Sequence, residues 1–177
     1  MAAPSYQIPQ TDRIDLNTLR RMNFSELQEL YLNARRPSAL SDLNGDAKGA
    51  MLAWKTPRSG PVANLLAALG GMRSFPWKGK SFEAGSDKGE GINRISLLKK
   101  MRWFPFGTRF QSSFLDGKPT FVLDYARPGN PPFIRQIVDE VREVAPGLYM
   151  GPAALNVGGK PRPILFFALS FQESSAD

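Results

Sequence analysis

Few side chains in this chain could carry acid–base chemistry, because its 177 residues include no histidine and no cysteine. Those two residues most often supply proton transfer, thiol nucleophiles and metal ligands near neutral pH. Chemistry would therefore depend on carboxylates, amines and phenols whose pKa values are shifted by burial. The available groups are Lys80, Asp124, Asp139, Glu140, Glu143 and Tyr149. We expect no metal site and no bound cofactor, and the candidate catalytic groups are Asp124, Glu140 and Tyr149.

The glycine-rich segments do not match a phosphate-binding loop. Residues 85–91 lack the Gly-Lys-Ser/Thr ending, and Gly158-Gly159-Lys160 is followed by a proline. The acidic run around Glu140 is more typical of a solvated face than of a metal site. The sequence still allows catalysis by a pocket that holds an apolar substrate in one conformation, such as a cyclisation, an isomerisation or a dehydration.

The formal charge of +7 is concentrated in the middle of the chain. Residues 54–110 contain eleven Lys and Arg against three acids, interleaved with Trp77, Trp103, Phe104, Phe106 and Phe110. Such a mixture could bind a single-stranded nucleic acid through stacking and phosphate attraction. The favoured interpretation is that the aromatic rings face inward and the cations face water. A third interpretation is that one or two of these cations point inward and hold an anionic ligand.

Two helices are indicated near the start of the chain. One runs over Ser25–Ala34, where Leu27, Leu30 and Tyr31 form one stripe after a capping-box-like Asn23 and Glu26. The other runs over Pro61–Leu69 and ends at a glycine pair. Residues 1–22 are expected to form an N-terminal arm, and residues 23–177 a single β-barrel domain.

From Trp77 onward the pattern favours short antiparallel strands separated by turns. The Asp116-Gly117 pair predicts the clearest hairpin, and a further turn is predicted at Pro105-Phe106-Gly107. Residues 133–151 fit either a helical stripe or a hairpin, and we favour a short helix near Pro131–Gln136 followed by strands. The sequence thus predicts a mainly β fold, an antiparallel barrel or sandwich with one or two short helices and an N-terminal helical extension.

Several short motifs resemble those of small lipocalin-like (calycin) β-barrel proteins: residues 75–82 around Trp77-Lys78-Gly79-Lys80, Asn93, the Asp116-Gly117 hairpin, Leu123-Asp124-Tyr125 and residues 139–151. Lipocalins typically carry Gly-x-Trp near the first strand, whereas here the tryptophan precedes its glycine. The resemblance covers roughly residues 50–171. It implies a cup-shaped antiparallel barrel with a ligand cavity in its mouth.

A cavity of this kind is mostly apolar with a few polar groups that orient the ligand. The candidate ligand-binding residues are Trp77, Arg94, Arg109, Tyr125, Arg142 and Tyr149. Because neighbours in a strand point to opposite faces, only one of Asp124 and Tyr125 can face the cavity. For Trp77 a purely structural role is the alternative, and for Arg142 it is an ion pair with a nearby glutamate.

The leading hypothesis is a barrel that binds a small, mostly apolar and neutral or anionic molecule. The alternative is a cofactor-independent isomerase, cyclase or dehydratase acting in the same cavity, and nucleic-acid binding is disfavoured. A buried titratable residue facing the cavity would distinguish the enzyme from the binder. We find no apolar run long enough for a signal peptide or a membrane span, so the expected location is cytoplasmic.

Overall fold

An eight-stranded antiparallel sheet closes on itself to form a barrel. The computed structural model describes residues 14–35, 38–55, 77–85, 88–97 and 99–171. Each strand pairs with its sequence neighbours, and the last strand pairs with the first. The predicted mainly β barrel is confirmed. The strands are β1 (Gly45–Trp54), β2 (Trp77–Ala84), β3 (Gly89–Leu97), β4 (Lys99–Ser112), β5 (Pro119–Asp124), β6 (Ile137–Ala145), β7 (Leu148–Val157) and β8 (Lys160–Ser170).

Two helices, α1 (Leu16–Arg21) and α2 (Phe24–Asn33), pack on the outside of the barrel. The predicted capping box is present, because the Asn23 side chain accepts from the Glu26 amide and the Glu26 carboxylate accepts from the Asn23 amide. Apolar helix residues meet the outward-facing side chains of β7 and β8. This outer layer contains Leu19, Leu27, Tyr31, Leu148, Met150, Phe166 and Ala168.

The inward-facing side chains, which alternate with those of the outer layer, fill one end of the barrel. A 3₁₀ helix, Leu40–Leu43, inserts both of its leucines into this interior cluster. The aromatic members include Phe82, Phe121 and Tyr149, and the Tyr149 ring lies 6.3 Å from the Phe121 ring. One end of the barrel is therefore packed solid.

The sequence expectations about local structure differ in their outcomes. The Asp116-Gly117 hairpin joins β4 to β5, with Gly117 at a φ of 70°. The favoured interpretation of residues 133–151 is confirmed, because a 3₁₀ helix at Ile134–Gln136 leads into β6 and β7. The turn expected at Pro105-Phe106-Gly107 is wrong: β4 continues through it, and a bulge in its pairing with β3 absorbs the irregularity. The helix expected at 61–69 lies outside the described residues.

Candidate functional site

A cavity of about 90 Å³ lies inside the barrel, at the end where the odd-numbered strands finish and the even-numbered strands begin. Its wall is mostly aliphatic and aromatic. Four polar side chains interrupt that wall, Lys80, Asn93, Tyr125 and Asp139, and all four are buried. The remaining lining residues are Met51, Trp54, Trp77, Ile95, Phe104, Ile134, Ile137, Ala153, Ile164, Leu165 and Phe167.

The four polar side chains form one hydrogen-bonded cluster centred on the Lys80 ammonium group. Lys80 Nζ donates to Asn93 Oδ1 at 2.9 Å and to the Tyr125 hydroxyl, and lies 3.1 Å from Asp139 Oδ2. Tyr125 in turn donates to Asp139 Oδ2 at 3.1 Å. Asn93 accepts from the Trp77 indole at 3.1 Å and donates to the Phe104 carbonyl at 3.2 Å. The cluster thus joins β2, β3, β6 and the residue that directly follows β5.

A local irregularity in β2 brings both Trp77 and Lys80 to the cavity. Strict alternation would place residues three apart on opposite faces, but the register between β2 and β3 shifts between Trp77 and Gly79. Gly79 has a φ of +127°, and a Cβ there would lie 2.0 Å from the Ala47 carbonyl oxygen. Only glycine fits this close approach of β2 to β1, so Gly79 sets the direction of Lys80.

A second irregularity directs the Asn93 side chain into the cavity. The pairing of β3 with β4 shifts between Gly91 and Asn93, and Phe104 on the facing strand has a φ of 57°. A non-glycine residue in this region is uncommon, and such residues concentrate at functional sites. Here the unusual backbone directs the Phe104 carbonyl toward the Asn93 amide while its ring lines the cavity.

Burial controls the ionisation of the cluster. Removal from water lowers the pKa of Lys80 and raises the pKa of Asp139, while each partner opposes the shift of the other through its charge. Burial, reinforced by the Asp139 charge, also holds the pKa of Tyr125 well above its ordinary value. The ion pair and the neutral pair, with the proton on Asp139, therefore lie closer in free energy than they would in water.

Aromatic rings surround the Lys80 ammonium group. The Nζ atom lies 5.5 Å from the Trp77 ring centroid, 5.0 Å from Phe106, 5.1 Å from Tyr125 and 5.3 Å from Phe167. Ring faces attract a cation at such distances, and more strongly when it is desolvated. The site can therefore hold a positive charge at this nitrogen without bulk water.

One atom of the cluster is left without a partner among the described residues. The three ammonium hydrogens of Lys80 are directed at Asn93, Tyr125 and Asp139. Asp139 Oδ1, by contrast, is buried and accepts no hydrogen bond within the described part of the chain. An unsatisfied buried carboxylate oxygen is costly, which favours a proton on this carboxyl group.

The structure gathers only some of the predicted site residues at the cavity. Trp77 and Tyr125 line it. Asp124 faces away from Tyr125, as the alternation requires, and accepts a hydrogen bond from Arg109 on the outer surface at 2.8 Å. Arg94 pairs with Asp46 on the outer face at 3.0 Å. Tyr149 belongs to the packed end of the barrel.

Glu140 and Arg142 lie on the outer face of β6, beneath α2. Glu140 accepts from the Tyr31 hydroxyl at 2.8 Å and from Ser113 at 2.6 Å. Arg142 makes two bonds to Asp116, at 2.9 and 2.7 Å, and further bonds to the carbonyl groups of Tyr31, Pro119 and Lys118. The ion pair expected between Arg142 and a nearby glutamate is thus made with Asp116 instead. These contacts attach the helical layer to the barrel, and neither side chain lines the cavity.

Sequence reasoning missed Asn93 as a site residue and named Lys80 and Asp139 only as available groups. Inspection of β6 alone could have found Asp139, since Ile137, Asp139 and Val141 share one face of the strand and both neighbours are apolar. No comparable signal marks Lys80, because the bulge in β2 cannot be read from residue types. One cation of the basic segment, Lys80, points inward as the third interpretation expects, but its partner is Asp139 and not an anionic ligand.

The Asp116–Arg142 pair should leave a signature in acid. The hydrogen bonds from Arg142 lower the pKa of Asp116 from 3.8 to about 2. Because the pKa is lower in the folded chain than in the unfolded chain, this pair stabilises the fold fully above about pH 4. Its contribution is lost as the pH falls through about 2. Urea unfolding across this range should show a steeper decline for the wild type than for Asp116→Asn, and parallel curves would contradict the assignment.

Fold and site together define a closed antiparallel barrel with an internal polar cluster in an apolar cavity. No protein-family model and no curated protein matches the sequence. A protein from Thermomonospora curvata, known from its crystal structure, is similar in fold, with a TM-score of 0.50 and 17% sequence identity. The match covers 91% of this chain and 90% of that chain. At this identity the similarity supports the fold alone.

In the described ranges, no helix is both long and apolar enough to cross a bilayer.

Proposed function

We propose that this protein binds a small, mostly apolar molecule inside the barrel and orients it through the Lys80 cluster. The observation that carries the proposal is a single internal cavity whose wall is mostly apolar and contains one cluster of polar side chains. Ligand sites commonly have this composition. The closed eight-stranded architecture is also consistent with the lipocalin-like resemblance, and membership of that group remains part of the proposal.

The ligand is neutral rather than anionic on electrostatic grounds. Lys80 is the cation among the described lining residues, and Asp139 lies 3.1 Å from it, so the pair carries no net charge. An incoming carboxylate would also compete with Asp139, Asn93 and Tyr125 for the same ammonium hydrogens. A neutral molecule with one polar group avoids both costs.

The size of the cavity limits what enters it. An apolar cavity of about 150 Å³ holds benzene, so about 90 Å³ accommodates roughly four non-hydrogen atoms in proportion. The ligand, or the part of it that enters, is therefore no larger than about butanol.

A catalytic function is the second candidate, and one specific observation favours it. Lys80, Tyr125 and Asp139 are three titratable groups in mutual contact at the cavity. Coupled groups with pKa values shifted by burial are typical of proton-transfer sites. An isomerase, cyclase or dehydratase acting on an apolar substrate would use Asp139 and Lys80 as the acid–base pair, with Tyr125 and Asn93 holding the amine in place.

Calorimetric titration with a series of alcohols from ethanol to hexan-1-ol tests the binding proposal. Affinity should rise with chain length and stop rising near butan-1-ol, because longer chains exceed the cavity. Ala153→Leu fills the cavity and should weaken butan-1-ol binding by at least about tenfold. Arg109→Ala removes contacts to Asp124 and Gln111 on the outer surface and should leave the affinity unchanged.

Urea unfolding should show that Ala153→Leu remains folded, since overpacking costs about 1–3 kcal/mol. Equal butan-1-ol affinity in the wild type and the Ala153→Leu variant would place the alcohol outside the barrel and refute the proposed site.

A further inference from the structure

Lys80 provides the nucleophile among the described residues of the cavity wall. Those residues include no serine, threonine or cysteine, and their only hydroxyl is the Tyr125 phenol. A lysine amine in an apolar pocket is the group that proteins use to form a Schiff base with a carbonyl compound. Lys80 also has a proton donor and acceptor at hand, because Asp139 Oδ2 lies 3.1 Å from its Nζ atom.

We propose that Lys80 forms a Schiff base with a small apolar aldehyde or ketone bound in the barrel cavity. This inference rests on the proposed binding function and deepens it, because it names the carbonyl group as the polar part of the ligand. The partners of Lys80 have separate tasks. Asp139 transfers protons, whereas Asn93 and Tyr125 hold the nitrogen in position through their hydrogen bonds.

The step begins from the neutral pair, with the proton on Asp139. The Nζ lone pair forms the carbon–nitrogen bond, the carbonyl π electrons move to oxygen, and the oxygen takes the Asp139 proton. The nitrogen then returns a proton to the Asp139 carboxylate, which leaves a neutral carbinolamine. Asp139 next protonates the hydroxyl group, water departs, and the nitrogen lone pair forms the iminium double bond. The reaction consumes one carbonyl compound and releases one water, with no oxidant or reductant.

The surroundings of Lys80 suit the charged product. The iminium nitrogen would keep Asp139 as its carboxylate counter-ion, so the site remains neutral overall. The rings of Trp77, Phe106 and Phe167 that surround the ammonium group would equally surround the iminium. An apolar wall also restricts the water that hydrolyses imines.

Reductive trapping with butanal and cyanoborohydride near neutral pH tests the proposal on the full chain. We expect a butyl group on Lys80, located by peptide mapping. Lys80 should react faster than the exposed Lys160, because burial lowers the pKa of Lys80 and leaves more of it as free amine. Lys80→Arg keeps a cation but forms no imine and should lose the adduct. Lys160→Arg should retain it.

A competition experiment keeps the test valid if Lys80→Arg fails to fold. Saturating butan-1-ol should protect Lys80 of the wild type from alkylation and leave the slow reaction of exposed lysines unchanged. If butan-1-ol binds in the cavity while Lys80 stays unmodified, the Schiff base is refuted and the binding function stands. If butan-1-ol does not bind and Lys80 stays unmodified, both proposals are refuted.

Discussion

Replacing Lys80 by methionine should destabilise the fold by about 3–5 kcal/mol, the usual result of removing one partner of a buried ion pair. The remaining Asp139 would be a buried carboxyl group whose Oδ1 already has no partner within the described residues. Asp139→Leu should cost a similar amount, because it leaves the Lys80 ammonium group without its counter-ion. The free energy of unfolding in urea measures both effects.

The double variant Lys80→Met with Asp139→Leu distinguishes the pair from two independent core residues. Without an uncompensated charge, its loss should be smaller than the sum of the single losses by about 0.5–3 kcal/mol. Met51→Leu, a volume-conserving change in the same cavity wall, is the control and should cost less than about 1.5 kcal/mol. Strict additivity of the two single changes would show that Lys80 and Asp139 do not stabilise each other.

Replacing Arg142 by methionine is the second change with a large expected effect. The Arg142 side chain is 1% exposed, and its removal deletes two hydrogen bonds to Asp116 and one to each of three backbone carbonyl groups. We expect a loss of about 3–5 kcal/mol in the free energy of unfolding. Arg109→Met is the matched control, because Arg109 also pairs with an aspartate but its side chain is 43% exposed. That change should cost less than about 1 kcal/mol.

The helical layer allows a local readout of the same variant. Arg142 bonds the Tyr31 carbonyl at 3.2 Å, and its guanidinium carbon lies 4.4 Å from the Tyr31 ring centroid. Hydrogen exchange of the α2 amides should therefore accelerate in Arg142→Met and stay unchanged in Arg109→Met. Equal exchange in both variants would show that Arg142 does not fasten α2 to the barrel.

The sequence was sufficient to predict the barrel because the signals that define it are local. The Asp116-Gly117 turn, the Asn23 capping box and the alternation along β5 and β6 each follow from a few neighbouring residues. Alternation also correctly separates Asp124 from Tyr125.

The polar cluster could be predicted only in part, because it depends on irregular pairing between strands. The shifts at Gly79 and at Asn93 change which side chains face inward, and no short pattern specifies them. Regular alternation from Trp77 points Lys80 outward, where a lysine is ordinary. Arg142 shows the opposite case, since the sequence predicts a ligand contact there, whereas the side chain is buried under α2.

Asp139 and Glu140 are consecutive residues of β6, yet one belongs to the cavity and the other to the contact with α2. Deleting a single residue from this strand would exchange their faces, because side chains alternate with a period of two. A frame change of that kind would take Asp139 from Lys80 and Glu140 from Tyr31 in one event. Length changes in β6 should therefore be far less acceptable in natural variants than substitutions, whereas the Gly158-Gly159 turn beyond β7 can vary in length without moving either carboxylate.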